Sequence, residues 1–343
     1  MICMRSRYLP FILSLLMSCQ APTSPVKITP GSERIPQIEI QIVGRAQKGF
    51  FLGMQPYLTK DDYRSEDTFY QALKAYFDYA KREEVIASER TVIVFPENIG
   101  YWLVASGETD SVFSQVTFSN ATKEMKFEHL GRFILVYLFE KNYSQDRTKE
   151  SVFRMKAWQM AEVYQNVFSR LAQEFRVDIV AGSIVLPEPK VVEGKITMTD
   201  GPLQNVSFYF HSNGTIDPEI TRKKTPGDQE LGLVFGAKDT NPSIMKTPLG
   251  LLLPSLDVEQ TEEIKTTIDK EVQFLAKPAF AYQPAAVGKL KKTNFPNVIR
   301  VYLNGNFWET KTYGTADILY KDKQVNVKRI KENGFGMIYA LGI

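Results

Sequence analysis

The sequence predicts a single α/β domain built from layered sheets and helices. From Ile38 to Pro187, strand-like and helix-like signals alternate; from Val206 onward, strand-like runs follow one another in pairs. No Pro/Gly-rich linker divides residues 38–343, so the two halves read as one body. With 343 residues, 43% of them apolar, the chain is long enough to bury a large core.

The elements follow in order. "IEIQIVG" and "GFFLGMQPY" are rich in β-branched and aromatic residues and read as strands. Glu66 to Ser88 places Phe69, Leu73, Tyr76, Phe77 and Ala80 on one helical stripe. "TVIVFPEN" is a short apolar strand stopped by Pro96, and "FILVYLFEK" reads as another strand. Lys149 to Arg176 is the longest predicted helix, with Phe153, Ala157, Met160, Tyr164, Val167, Leu171 and Phe175 on one face. "VDIVAGSIVLP" follows as a strand, then "VSFYFHSNGTI", a strand entering an Asn213-Gly214 turn. "EVQFLAKPAF", "NVIRVYLNG" and "TADILYKDKQVNV" are strand-like, the last folding back as a hairpin.

Composition excludes several functions. Lys+Arg 42 against Asp+Glu 39 gives +3, which falls to +1 once Arg5 and Arg7 are removed with the first 18 residues. The clusters "KLKK" and "KRIK" are short and read as solvated faces, so no nucleic-acid partner is expected. Both cysteines, Cys3 and Cys19, precede residue 20, so the body has no disulfide, cysteine metal site or cysteine nucleophile. With His129 and His211 as its two histidines, the chain is a poor candidate for a zinc site or a Ser-His-Asp triad.

The N-terminus reads as a targeting segment. Arg5 and Arg7 form a charged region, and Tyr8 to Met17 form an apolar run too short to span a bilayer. Leu16-Met17-Ser18-Cys19 resembles a bacterial lipobox. In signals of that kind the cysteine thiol receives a diacylglycerol and becomes the new N-terminus. Residues 1–18 are then a lipoprotein signal peptide. Residues 19–37, with Pro, Ser and Thr throughout, are an extended tether to the membrane. Gln20 rather than Asp after the cysteine favours the outer membrane of a bacterial envelope.

Three stretches carry candidate chemistry. Glu97 ends a buried strand, where desolvation makes a carboxylate a suitable general base. "RKKTPGDQE" holds Lys223, Lys224 and Glu230; a lysine beside a carboxylate can stabilise an oxyanion. "GLLLPSLD" delivers Ser255 and Asp257 from an apolar strand. Tyr101 and Trp102, just past Glu97, are candidate pocket-lining residues. Each stretch alone has an ordinary structural reading, as a helix start, a solvated loop, a turn or core packing.

Their order is more specific. Strand–Pro–Glu, then Arg–Lys–x–x–Pro with a following Glu, then Gly–apolar strand–nucleophile–x–Asp resembles the carbon–nitrogen hydrolase (nitrilase/amidase) superfamily. "GMQPY", "LAQEFRVDIVAGS", "NVSFYFHSNGTI" and "GTADILYKDKQV" resemble further elements of that family, and the likeness covers residues 38–343. It implies a four-layer αββα sandwich that pairs into a homodimer or larger assembly, with no cofactor. Glu97 matches the family's general base, Lys223 (or Lys224) its lysine and Glu230 its second carboxylate. The implied chemistry is attack of a cysteine thiolate on an amide or nitrile carbon.

Here the sequence departs from the family. Counting back two from Asp257 gives Ser255 in place of cysteine, and the interval from Gly250 is shorter than the family's usual one. A serine hydroxyl is far more basic than a thiol, so a carboxylate base that suits cysteine faces an uphill proton transfer costing about 1.4 kcal/mol per pK unit. Three expectations follow: a lipid-anchored relative that binds a small amide or carboxylate without catalysis; an active hydrolase or acyltransferase using Ser255 or a Glu97-activated water; or an unrelated α/β lipoprotein, in which Glu97, Lys223 and Glu230 lie apart.

Overall fold

A computed structural model describes residues 37–227, 230–238, 243–257, 271–281, 295–328 and 334–343. The expected signal peptide, Cys19 and the expected tether up to residue 36 lie outside them. Residues Pro36–Ile343 form one compact unit.

The first sheet has six strands in the spatial order Gln37–Val43, Phe335–Gly342, Phe50–Gln55, Thr91–Val94, Asp178–Val180 and Tyr209–Phe210. Phe50–Gln55, Thr91–Val94 and Asp178–Val180 run parallel, as alternating strands and helices require. A second six-stranded sheet follows the order Met245–Thr247, Gly250–Pro254, Val272–Ala279, Asn297–Tyr302, Asp317–Tyr320 and Lys323–Gln324. The last two strands form the expected hairpin, turned by Lys321 and Asp322, both at positive φ. A smaller sheet joins Thr221–Arg222, Leu203–Ser207 and Ile184–Pro187.

Helix α1 (Glu66–Arg82) starts at a Ser65 cap whose side chain accepts from the Thr68 amide. It buries the expected stripe and ends before Ser88, where Glu84 turns to positive φ. Two short helices follow, α2 (Asp110–Ser114) and α3 (Phe118–Glu128). Helix α4 spans Leu130–Phe139 and α5 spans Arg147–Phe175. Asp146 caps α5 by accepting from the Lys149 amide at 3.0 Å.

Two elements differ from their sequence reading. "VDIVAGSIVLP" is not one strand but two, Asp178–Val180 of the first sheet and Ile184–Pro187 of the smaller one, parted at Gly182 with φ 69°. "FILVYLFEK" is helical as α4, not a strand. Its buried residues, Phe133 and Val136, are three apart, which is helix rather than strand spacing. The run was ambiguous because its exposed side is apolar too, leaving no polar positions to reveal the period.

The two large sheets face each other. Phe51, Val92, Val94 and Val180 of the first pack with Leu252, Phe274, Ile299 and Val301 of the second. A Cβ on Gly53 would lie 2.6 Å from Val301, so the sheets approach closely only because that residue is glycine. On its other face, the first sheet shares a core with α1 and α5, through residues such as Leu73, Phe77, Ile93, Phe95 and Phe168. The described residues thus give helices, sheet and sheet; a second helical layer, which the resemblance implies, is not seen among them. Among the described residues no helix is long and apolar enough to cross a membrane.

Candidate active site

Glu97 lies just beyond the strand Thr91–Val94, in a turn held from both sides. The Asn98 amide donates to the Ser183 hydroxyl at 2.8 Å, and Asn98 itself sits at φ 62°. Gly182, at φ 69°, passes so close that a Cβ there would lie 2.1 Å from the Pro96 carbonyl oxygen. The Gly-Ser pair after "DIVA" therefore serves as a backstop that aims the carboxylate inward.

Lys223 follows the strand Thr221–Arg222, and its amide donates to the Asn205 carbonyl at 3.0 Å. Its Nζ donates to Glu97 Oε1 at 2.6 Å and to Glu230 Oε2 at 2.7 Å. All three side chains are buried. The structure thus brings together the three charged groups singled out in the sequence. It also separates the two lysines: Lys223 enters the cluster, whereas Lys224 contributes its backbone amide to Asp257 at 3.0 Å. The Thr225 amide donates to the same Asp257 carboxylate at 2.9 Å.

Asn205, which opens the stretch "NVSFYFHSNGTI", is a site residue that the sequence does not single out. Its Nδ2 donates to Glu97 Oε1 at 2.9 Å, Asn98 Oδ1 at 3.2 Å and Glu230 Oε1 at 2.5 Å. The strand that carries it, Leu203–Ser207, is polar at Gln204, Asn205 and Ser207 yet wholly buried, so its pattern does not mark this amide among the others. Gly227 completes the shell by donating its amide to Glu230 Oε2 at 2.7 Å.

One ammonium faces two carboxylates, so the cluster carries an excess negative charge. Burial, opposed by Lys223 and reinforced by Glu230 and Asp257, pushes Glu97 up to about 7. Burial alone would lower Lys223, but the Glu97 and Glu230 carboxylates more than reverse this and hold it charged. Glu97 is therefore poised to exchange a proton near neutral pH. A carboxyl raised from 4.5 to about 7 contributes stability that is present below the unfolded value and lost as pH rises through the folded one. The decline between those values should be on the order of 3 kcal/mol. Glu97→Gln, neutral at every pH, is expected to flatten it. Urea denaturation at pH 5 and pH 7.5 compares the two slopes, and equal slopes would refute this assignment.

Ser255 lies beyond the strand Gly250–Pro254, its amide donating to the Ala276 carbonyl at 2.9 Å. Its hydroxyl approaches the Asp257 carbonyl at 3.5 Å; among the described residues it makes no hydrogen bond to Glu97 or Lys223. Lys277 Nζ donates to that same Asp257 carbonyl at 2.9 Å. Burial, then the nearby Arg300 charge, lowers Lys277 to about 8 against the pull of Asp257.

Tyr101 and Trp102 divide. Tyr101 is half-buried against Phe153 at 4.9 Å, and burial together with the Glu230 charge holds its hydroxyl well above the usual phenol range. Trp102 is a core residue, stacked on Phe307 at 4.6 Å. Away from this site, Glu108, Glu128 and His129 offer ligand atoms within 4.8 Å of one another. Glu108 is already paired there with the buried Lys156 ammonium, which disfavours a cation.

No family model matches the chain, and no curated protein matches it in sequence. Solved structures do match. A nitrilase-superfamily amidase from Nesterenkonia AN1, with a cysteine mutated to serine, aligns over 86% of this chain and 92% of its own, at 10% identity and a TM-score of 0.52. The same amidase with a cysteine mutated to alanine, in complex with butyramide, aligns over 86% and 91%, at 10% identity and 0.51. A third form, with acrylamide added at its active-site cysteine, aligns over 84% and 91%, at 9% identity and 0.51. At this identity the likeness is one of fold.

Proposed function

Because this chain has the fold of nitrilase-superfamily amidases, we propose that it is a lipid-anchored, non-catalytic relative that binds a small amide or carboxylate. The observation that carries this reading is the buried Glu97–Lys223–Glu230 cluster in a body with no cysteine from Gln20 onward. The carboxylates and the Asn205 amide supply hydrogen-bonding groups for a planar amide, and Lys223 supplies a cation for a carboxylate. Lipid on Cys19 places the domain at the bacterial cell envelope, on the outer membrane. A thermal-shift panel of small amides and carboxylates tests the binding. A ligand at a hundred times its Kd stabilises by about 2.7 kcal/mol. Glu97→Gln is expected to remove or weaken the shift, and a panel with no shift at all would sink the reading.

One observation favours a second reading, an active hydrolase. Ser255 Oγ and Lys277 Nζ converge on one carbonyl oxygen, and an amine lowered to about 8 is a base matched to neutral pH. In that reading the hydroxyl proton passes to Lys277, Ser255 Oγ bonds to the amide carbon, Lys277 returns the proton to the nitrogen as the C–N bond breaks and ammonia leaves, and water then opens the ester. Ammonia release abolished by both Ser255→Ala and Lys277→Met would establish it.

A further inference from the structure

We propose that α4 is a lipid-docking face, its outer half resting in the interfacial layer of the membrane to which the N-terminus is tethered. The tether belongs to the lipid-anchor reading above; the contact itself belongs to α4.

Phe133 and Val136 turn inward. The opposite side consists of two adjacent i, i+4 rows, Leu130–Ile134–Leu138 and Gly131–Leu135–Phe139. The five large side chains of these rows are between 43% and 79% exposed, and Phe127 at the end of α3 adds a sixth at 62%. A helix lying on a protein surface ordinarily presents polar residues to water on that side. Here the patch reaches on the order of 600 Å², the top of the range for the largest patch on a monomer.

The chemistry of the face favours lipid over a protein partner. Protein interfaces carry about one hydrogen bond per 100–200 Å². The two rows offer no side-chain donor or acceptor, and a bilayer needs none. Lys123, Lys126, Arg132 and Lys141 lie in the same stretch of sequence, before, within and after the rows, and supply partners for anionic headgroups. Of the adjoining acids, Glu128 accepts from the Thr109 and Ser111 hydroxyls and Glu140 lies 3.8 Å from Arg154, while Glu124 on α3 offsets one of the four basic residues. At ten residues, α4 is too short to span a bilayer and suits one that lies on it.

The tether permits the contact. From Cys19 to Gln37 is 18 residues, a reach of about 60 Å when extended. A body of this size has a radius of gyration of about 19 Å, so any of its faces can touch the membrane. Tethering also raises the effective concentration towards the millimolar range, so a weak apolar contact suffices.

The test uses the mature lipidated protein in vesicles of phosphatidylethanolamine and phosphatidylglycerol. Leu138→Cys carries an environment-sensitive fluorophore, and the body has no other cysteine to compete for it. Lys195→Cys, exposed on the hairpin Lys190–Val192/Lys195–Thr197, is the control. Brominated acyl chains are expected to quench the label at position 138 at least twofold and leave the control unquenched. Adding Leu135→Glu and Phe139→Glu should abolish that quenching without changing Tm. Equal quenching at both positions, or none at 138, overturns the proposal. So does a vesicle-independent blue shift at 138 that grows with protein concentration alongside a dimer in light scattering, since a second copy then covers the face. Palmitate labelling, lost in Cys19→Ala, tests the anchor separately. An unlipidated chain still quenched at 138 by excess vesicles keeps the α4 proposal and sinks the anchor instead.

Discussion

Lys223→Met is expected to destabilise the protein by about 3–5 kcal/mol, because removing one member of a buried ion cluster leaves the others uncompensated. Lys223 is the shared donor to Glu97 and Glu230, both buried, and the substitution keeps the length of the side chain while deleting its charge. At roughly 2–4 °C per kcal/mol for a large domain, Tm should fall by about 10 °C. The deficit should depend on pH in a specific sense. Without the ammonium that opposes the effect of burial, Glu97 binds its proton more tightly still in the folded state. The variant is then nearest to wild type at or below about pH 4.5, the ordinary carboxyl value, and falls further behind as pH rises. Calorimetry at pH 4.5 and pH 7.5 reads this directly. A deficit below 1 kcal/mol at pH 7.5, or one that grows as pH falls, would mean that the cluster is not the charged unit described above.

The second large effect is a gain. Ser255→Cys is expected to create a nucleophile where the parent has a hydroxyl. A thiol is a few per cent ionised at neutral pH and intrinsically reactive. Against a hydroxyl many pK units more basic, the advantage in attack on an activated amide should be on the order of 10²-fold or more. Asp257, two residues on, is close enough to Glu97 to raise its proton affinity, so the new thiol would stand within the same electrostatic neighbourhood. Intact-mass detection of an acyl adduct, with release of ammonia above the parent's level, is the readout. A Ser255→Cys protein that folds normally yet takes up no acyl group and no acrylamide would show that position 255 does not face the carboxylate.

Much of this site could be read from local pattern. A carboxylate after a Pro-terminated strand, and a lysine in an Arg–Lys–x–x–Pro frame, are visible without knowing what they meet. What stayed hidden depends on distant partners. Asn205 acts on Glu97 across 108 positions, and nothing within its own strand announces that contact. Lys223 and Lys224 are neighbours whose side chains diverge, and the choice between them is fixed by Asp257, which captures the Lys224 and Thr225 amides. Helix α4 hides its period in the sequence, because a helical period shows only where polar residues meet water. In α4 the outward side is hydrocarbon, so no polar period marks it as a helix.

The strand Phe335–Gly342 sits between Gln37–Val43 and Phe50–Gln55, pairing Gln37 with Phe335 on one side and Phe50 with Gly342 on the other. The first sheet is therefore assembled around a member made almost three hundred residues later. Until that strand is available, its two neighbours have unsatisfied edges, and the loop to be closed is nearly the whole domain. Such wiring delays completion of the first sheet until residues 335–342 have been made. Until then the two neighbouring strands can pair with each other only in a non-native way, so the order of synthesis itself holds the sheet open.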